Sequence, residues 1–293
     1  MYSKNFEMNV VSLCVLVVTV RKCISEQIEI NTTTIEEPPL GGRFGVYHSL
    51  EDTLATLNRP EYKDDQIVQR LLKTYEEKCV PDIPKKRKSP IRRPFVVVES
   101  NHKEGKKIFG KILADSLTGT LQTYPPKCLE GFVKEFHYST TLRRAYLSLC
   151  NYAMAHNVRV IYYMQPVIVT GYWLHQASLF YAKEFSTENL PPVGSPLLQW
   201  PHDLLVPDMM FYINVTNENL KKGEKPLPTR PKIVKLFQHM RNPNVTFVTK
   251  RYVPEDIAYI IEVYMAGVLK GIKRANRNIV YYKQYIDNDP IPI

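Results

Sequence analysis

Short apolar runs alternate with helical patterns through most of the chain. Residues 95–99 form a continuous apolar run rich in β-branched residues, which predicts a strand buried on both faces. Further strands are predicted at 158–163, 166–169, 209–215 and 244–248. Helices are predicted at 106–117, 142–156, 173–185, 230–240 and 255–273. Strands that alternate with helices imply an α/β fold, a parallel sheet covered by helices on both faces.

A smaller helical pattern precedes this region. Residues 46–79 carry apolar positions at helical spacing and are divided near Pro60, which predicts two short amphipathic helices. Segments rich in Pro flank the pattern on both sides and favour flexible connections. The predicted organisation is a leader or targeting segment at 1–25, a linker with a short helical extension at 26–92, and an α/β domain at 93–285.

An apolar run at 9–20 lies between Lys4 and the basic pair Arg21-Lys22. Its length matches the apolar core of a signal peptide and is too short to span a bilayer comfortably. Two interpretations stay open, a secretory or membrane-anchored leader and a mitochondrial import sequence. Glu7 and the low Ser and Arg content favour the secretory one. Membrane contact is expected only through this segment, if it is not cleaved.

Composition places the chain among globular proteins, since 44% of its residues are hydrophobic and 23% charged. This balance argues against wholesale disorder and against a protein with many membrane spans. The 39 Lys and Arg residues outnumber the 29 Asp and Glu residues, a net charge of +10 that favours anionic partners or a basic solvated surface. No aromatic residues interleave the basic cluster at 85–93, so no nucleic-acid partner is expected.

The cysteines predict neither a disulfide framework nor a metal site. Of five cysteines, Cys14 and Cys23 lie in the leader, and there is no C-x-x-C pair or Cys/His cluster with zinc-ligand spacing. Asn31, Asn214 and Asn244 begin triplets that match the glycosylation pattern, which matters only in a secreted protein.

The segment after the first predicted strand is compared with the phosphate-binding pattern G-x-x-x-x-G-K-[ST]. Residues 100–107 read SNHKEGKK, so Gly105 and Lys106 stand in their expected places. Ser100 replaces the first Gly. Lys107 replaces the hydroxyl residue, which removes a magnesium ligand and adds a positive charge beside the expected metal position. The segment is either an altered nucleotide-binding loop, with all four residues as candidate ATP-binding residues, or a loop with solvated lysines.

Other motifs flank this loop in one order. Glu99 precedes it, and Pro125-Pro126 with Cys128, then 143–146 running into 148–152, and then 199–201 with 203–205 and 207–208 follow it. Together they resemble the mitochondrial-type UMP-CMP kinases of the thymidylate kinase family over residues 93–275. The resemblance implies a P-loop NTPase-type sheet of about five strands in which ATP, with Mg²⁺, phosphorylates dTMP, UMP or CMP. It also implies a mitochondrial location and a homodimer.

The resemblance assigns roles to named residues. Lys106 and Arg143 would be catalytic, and Arg143, Arg144 and Tyr172 would bind the substrate nucleotide. The alternative for both arginines is that they are surface residues at the start of a helix.

Several family positions are altered. His102 stands for an acidic residue in the loop, Thr170-Gly171 stand for the family's Asp-Arg pair, and the lid at 219–235 contains helix-breaking prolines. Loss of an arginine that neutralises developing charge typically costs on the order of a thousandfold in rate. Two hypotheses follow, a nucleoside-monophosphate kinase with impaired activity and a catalytically inactive pseudokinase that serves as a nucleotide-binding or protein-interaction module. A membrane-tethered or secreted scaffold is a third, weaker one.

Overall fold

A single five-stranded parallel sheet organises the protein. The computed structural model describes residues 42–81, 92–137, 140–214, 230–248 and 259. The strands are β1 (Phe95–Ser100), β2 (Thr120–Thr123), β3 (Val167–Thr170), β4 (Met209–Ile213) and β5 (Val245–Val248). They pair in parallel in the order β2-β3-β1-β4-β5. The predicted α/β class and the parallel sheet of about five strands are confirmed.

Six α-helices are described in the same residues. They are α1 (Leu50–Leu57), α2 (Gln66–Thr74), α3 (Lys103–Ser116), α4 (Thr141–Ile161), α5 (Trp173–Glu184) and α6 (Arg230–His239). The predicted strand at 158–163 is wrong, because α4 continues to Ile161 and buries Val158 in the core. Strand β2 was not predicted. The predicted leader at 1–25 lies outside the described residues. Of the helix predicted at 255–273, the structure describes only residue 259.

Polar side chains cap the helices where the chain enters them. Ser49 accepts a hydrogen bond from the Asp52 backbone N–H at 3.0 Å, and Asp65 accepts one from Ile67 at 2.7 Å. Thr140 does the same for the Arg143 backbone N–H at 3.2 Å at the start of α4. Such caps satisfy amide groups that have no partner inside the helix and fix where each helix begins.

Both faces of the sheet are buried, as the apolar run at 95–99 predicted. Phe95 and Val97 face the larger core beneath α4, α5 and α6, whereas Val96 and Val98 face a smaller core beneath α3. Alternate residues of a strand point to opposite faces, so one run of apolar residues serves both cores. This double burial fixes β1 at the centre of the sheet.

The helical extension is part of the larger core. Leu57 of α1 and Val68 and Leu71 of α2 are fully buried in it. The Thr53 hydroxyl pairs with the Ser148 hydroxyl at 2.9 Å, which joins α1 to α4. The described part of the extension is thus held by the same packing that holds the sheet, while the predicted domain boundaries stay predictions.

A disulfide bond also holds the extension. Cys79 bonds to Cys128, with their Cα atoms 5.7 Å apart, and Cys150 is a buried free thiol. The cysteine spacing predicted no disulfide framework and thus did not reveal this bond. The bond joins the end of the extension to the 3₁₀ turn Lys127–Phe132 that follows β2. Among the residues described, no helix has the length and hydropathy needed to cross a bilayer.

Candidate functional site

A cleft of about 290 Å³ opens at the carboxyl edge of the sheet. In a parallel sheet the carboxyl ends of the strands lie at one edge, which is where α/β proteins bind ligands. Strands β1, β2 and β3 and helices α3, α5 and α6 all contribute to the walls. The lining residues are Ser100, Asn101, Lys106, Lys107, Thr123, Tyr124, Thr170, Gly171, His175, Leu179, Arg230 and Ile233.

The turn between β1 and α3 is closed by its own side chains. The Ser100 hydroxyl donates to the carbonyl of Ile213 at 2.8 Å and accepts the His102 backbone N–H at 2.9 Å. The His102 imidazole Nδ1 accepts the Gly105 backbone N–H at 3.0 Å. Helix α3 therefore begins at Lys103, and Gly105 and Lys106 lie in its first turn instead of at its start, which corrects the predicted boundary. An amide that would face a phosphate in a phosphate-binding loop is bound to His102.

Lys106 makes an ion pair behind the cleft. Its ammonium lies 3.2 Å from Oε2 of Glu99, which is fully buried at the end of β1. The other carboxylate oxygen of Glu99 accepts the Tyr172 backbone N–H at 2.8 Å. Burial raises the pKa of Glu99, and the charge of Lys106 opposes that shift. Lys106 is thus neutralised by a buried carboxylate instead of projecting free into the cleft.

His175 on α5 extends this cluster. Its Nδ1 lies 3.4 Å from Oε2 of Glu99. Burial lowers the pKa of His175 well below its usual value, and the nearby charge of Lys106 lowers it further. His175 is consequently neutral at pH 7. His175 was not among the residues that the sequence predicted for the site.

Two further cationic side chains line the cleft. Lys107 is exposed and makes no hydrogen bond or ion pair with any residue that the structure describes. Arg230, the first residue of α6, is 7% exposed. Its charge lowers the pKa of Tyr212, which burial raises more strongly. A cleft with this lining favours an anionic ligand.

The donor set does not fit Mg²⁺, which prefers several oxygen ligands in octahedral geometry. Lys107 occupies the position at which a hydroxyl ligand was sought, and the Ser100 hydroxyl is committed to backbone groups. Glu99 is committed to Lys106 and Tyr172. Within the described segments, no group of three His, Cys, Asp or Glu side chains is arranged to hold a metal ion.

The predicted substrate-binding residues do not lie together in the cleft. Arg143 donates to the carbonyl of Val133, and its guanidinium carbon lies 5.6 Å from the centre of the Tyr146 ring. Arg143 does not line the cleft.

Arg144 and Tyr172 make structural contacts. Arg144 donates to the Phe44 carbonyl at 3.0 Å and pairs with Glu184 at 3.2 Å, so it joins α4 to the extension and to α5. Tyr172 is 1% exposed, and its hydroxyl donates to the Leu205 carbonyl at 3.1 Å. Neither side chain lines the cleft.

Strand β2 supplies cleft residues that were not predicted. Thr123 lies at its end and Tyr124 directly after it, and the Tyr124 hydroxyl donates to the carbonyl of Leu147. The available signal was the run 120–123 with two Thr residues between Gly119 and Pro125.

Comparison with known proteins finds similarity to two nucleotide kinases. It is 37% identical over 126 residues to the mitochondrial UMP-CMP kinase 2 of Homo sapiens, a match that covers 42% of this chain and 28% of that protein. The chain thus spans less than a third of that relative's length. The thymidylate kinase of Candida albicans aligns structurally over 61% of this chain and 93% of its own, with a TM-score of 0.44 and 15% identity. No family model matches the sequence.

Proposed function

We propose that this protein is a nucleoside-monophosphate kinase-like protein that binds a nucleotide phosphate group in the cleft and has impaired phosphoryl transfer. The observation that carries the proposal is the cleft itself, with Lys106, Lys107 and Arg230 in its lining at the carboxyl edge of the sheet. Cationic side chains at this edge suit phosphate. The similarity to UMP-CMP kinase 2 supports ATP and a pyrimidine monophosphate as the ligands to test.

Impairment follows from the chemistry of phosphoryl transfer. That reaction depends on positioning and on cations that neutralise charge in the transition state. Lys106 is paired with Glu99, and Thr170-Gly171 provide neither a carboxylate nor a guanidinium. ATP and Mg²⁺ are the co-substrate and metal that the resemblance implies, but the cleft lining contains no carboxylate to hold the metal. Lys106 and Arg143 remain the residues that we propose as catalytic.

The second candidate is an inactive pseudokinase, a nucleotide-binding or protein-interaction module. The hydrogen bond from the Gly105 N–H to His102 favours it, because this bond occupies an amide that phosphate would otherwise use. Turnover separates an impaired kinase from a pseudokinase that binds nucleotide, and an interaction module needs no nucleotide in the cleft.

Calorimetry on the full-length protein tests the proposal. ATP, UMP, CMP and dTMP are titrated separately, and ADP formation is followed by a coupled assay. We expect binding with turnover far below that of an active kinase. Arg230→Gln should weaken binding, whereas Arg241→Gln, an exposed arginine outside the cleft lining, should not. Circular dichroism checks that both variants fold. Absence of binding by all four nucleotides would leave only the interaction module.

The compartment is a separate proposal. The relative is mitochondrial, and this chain is proposed to share that location. The Cys79–Cys128 disulfide favours the secretory alternative, because disulfides persist in oxidising compartments. Treating protein from eukaryotic cells with a glycosidase decides between them, since a mobility shift requires passage through the secretory pathway. Co-purification with mitochondria and no shift would support the mitochondrial proposal.

A further inference from the structure

Lys107 lies where the family resemblance would place a hydroxyl that holds Mg²⁺. It is in the first turn of α3, its side chain is exposed, and it lines the cleft next to Lys106. We propose that the Lys107 ammonium replaces the divalent cation, so that the cleft binds the phosphate chain of a metal-free nucleotide in preference to its magnesium complex. This inference rests on the proposed function and names the ligand form that the cleft takes.

The charges around the cleft support this assignment. Lys106 and Glu99 form a buried pair at 3.2 Å, so together they add little net charge. Lys107 has no hydrogen-bonding or ionic partner among the described residues and can turn toward a ligand. An ammonium on a flexible four-carbon stem binds phosphate as a point charge. Lys107 is therefore the side chain best suited to meet a phosphate oxygen.

The same ammonium disfavours a bound metal. Mg²⁺ on the phosphates would lie close to a fixed positive charge, and like charges repel more strongly beside a protein surface than in bulk water. The metal also neutralises part of the phosphate charge, which weakens the attraction between nucleotide and cleft. The buried carboxylate of Glu99 cannot compensate, because it is bound to Lys106 and to the Tyr172 N–H.

Calorimetry with ATP measures this preference directly. The full-length protein is titrated with ATP in EDTA and with ATP in excess MgCl₂ at the same ionic strength. We expect affinity about twofold to fivefold higher in EDTA, the size of one charge interaction at an exposed site. Lys107→Thr should lower affinity in EDTA by a similar factor and remove the preference. Lys107→Arg keeps the charge and should keep the preference.

Lys111→Thr is the matched control, because Lys111 is an exposed lysine one turn further along α3 and does not line the cleft. It should behave like the wild type. If ATP binds but Mg²⁺ improves its affinity, or if Lys107→Thr leaves the metal effect unchanged, the inference is wrong and the proposed function stands. If neither form of ATP binds and no monophosphate does, the proposed function itself fails. Circular dichroism shows whether a variant is folded, and Lys107→Gln replaces Lys107→Thr if it is not.

Discussion

The indole Nε1 of Trp173 donates a hydrogen bond to the carbonyl oxygen of Tyr47 at 2.9 Å, across 126 positions of sequence. Tyr47 belongs to the helical extension, and Trp173 begins α5 two residues after Gly171 of the cleft. Both side chains are at most 2% exposed. The extension therefore supports the segment that follows β3, and a chain that begins at residue 93 would lose this support.

Replacing Trp173 by Phe should remove this support while retaining most of the packing. The Tyr47 carbonyl would lose its buried partner, which typically costs about 1–3 kcal/mol. Trp200→Phe is the control, because the Trp200 indole donates to the nearby Leu204 carbonyl and is only half-buried, so water can replace it. Urea unfolding of the full-length proteins measures both changes. Equal losses in the two variants would show that the Trp173 contact adds nothing specific.

The disulfide should contribute at least as much to the free energy of unfolding as the Trp173 hydrogen bond. Cys79 and Cys128 are 49 positions apart, and a loop of this size predicts a stabilisation of about 4 kcal/mol from the reduced entropy of the unfolded chain. We expect the double variant Cys79→Ser, Cys128→Ser to lose roughly 2–4 kcal/mol in the free energy of unfolding. Dithiothreitol should lower the Tm of the wild type and leave that of the double variant unchanged. A wild type insensitive to dithiothreitol would contradict the bond.

The sequence predicts β1 well because residues 95–98 are all apolar and three of them are β-branched, which favours a strand buried on both faces. The run at 158–163, apolar except for Arg159, has another origin. These residues lie at the end of helix α4, which is buried around most of its circumference. The periodicity of so short a run does not distinguish a buried helix from a buried strand. Strand β2 was missed because its residues are only partly buried and mostly polar.

The site shows a different limit. Glu99 and Lys106 are both evident in the sequence, but their spacing does not say whether the ammonium turns to a ligand or back to the carboxylate. That choice depends on the β1–α3 turn, where the cap by His102 starts the helix early. The Cys79–Cys128 pair likewise depends on how the extension folds back onto the sheet. Side-chain partners of this kind are set by tertiary packing and not by local pattern.

The protonation of His175 should make stability depend on pH. Its folded-state pKa is lowered by burial and by Lys106, whereas in the unfolded chain it is about 6.5. Below about pH 6.5 the unfolded state binds a proton that the folded state does not, so stability falls as pH falls, by at most about 1.4 kcal/mol per pH unit for one histidine. His48 and His156, whose pKa values burial also lowers, act in the same direction.

Comparing His175→Gln with the wild type isolates the contribution of His175 to the dependence of stability on pH. Glu99 acts in the opposite direction, because its raised pKa lets the folded state take up a proton first as pH falls. The free energy of unfolding is measured at pH 8, where the histidines are neutral in both states, and at pH 5. We expect a smaller loss between these values in the variant. An unchanged loss would mean that His175 titrates alike in both states.

Replacing Gly171 should cost more stability than its positive φ alone explains. It has φ +96°, and a Cβ there would lie 3.3 Å from both the Lys106 ammonium and the Cβ of Tyr124. Gly194 has φ +82° with nothing within 4 Å of such a Cβ, so Gly194→Ala measures the backbone strain alone, about 1–3 kcal/mol. We expect Gly171→Ala to lose more stability than Gly194→Ala and to change ATP affinity, because the methyl group crowds the Lys106 ammonium beside Glu99.

Urea unfolding and calorimetry on the two alanine variants decide the matter. Equal stability losses with unchanged ATP affinity would show that Lys106 accommodates the methyl group freely. If Gly171→Ala is the more damaging variant, an arginine at this position would be worse, since its side chain begins with the same Cβ beside the same ammonium. Gly171 and the Glu99–Lys106 pair would then be linked features of the cleft, and substitution at 171 alone could not supply the arginine that the family resemblance would place there.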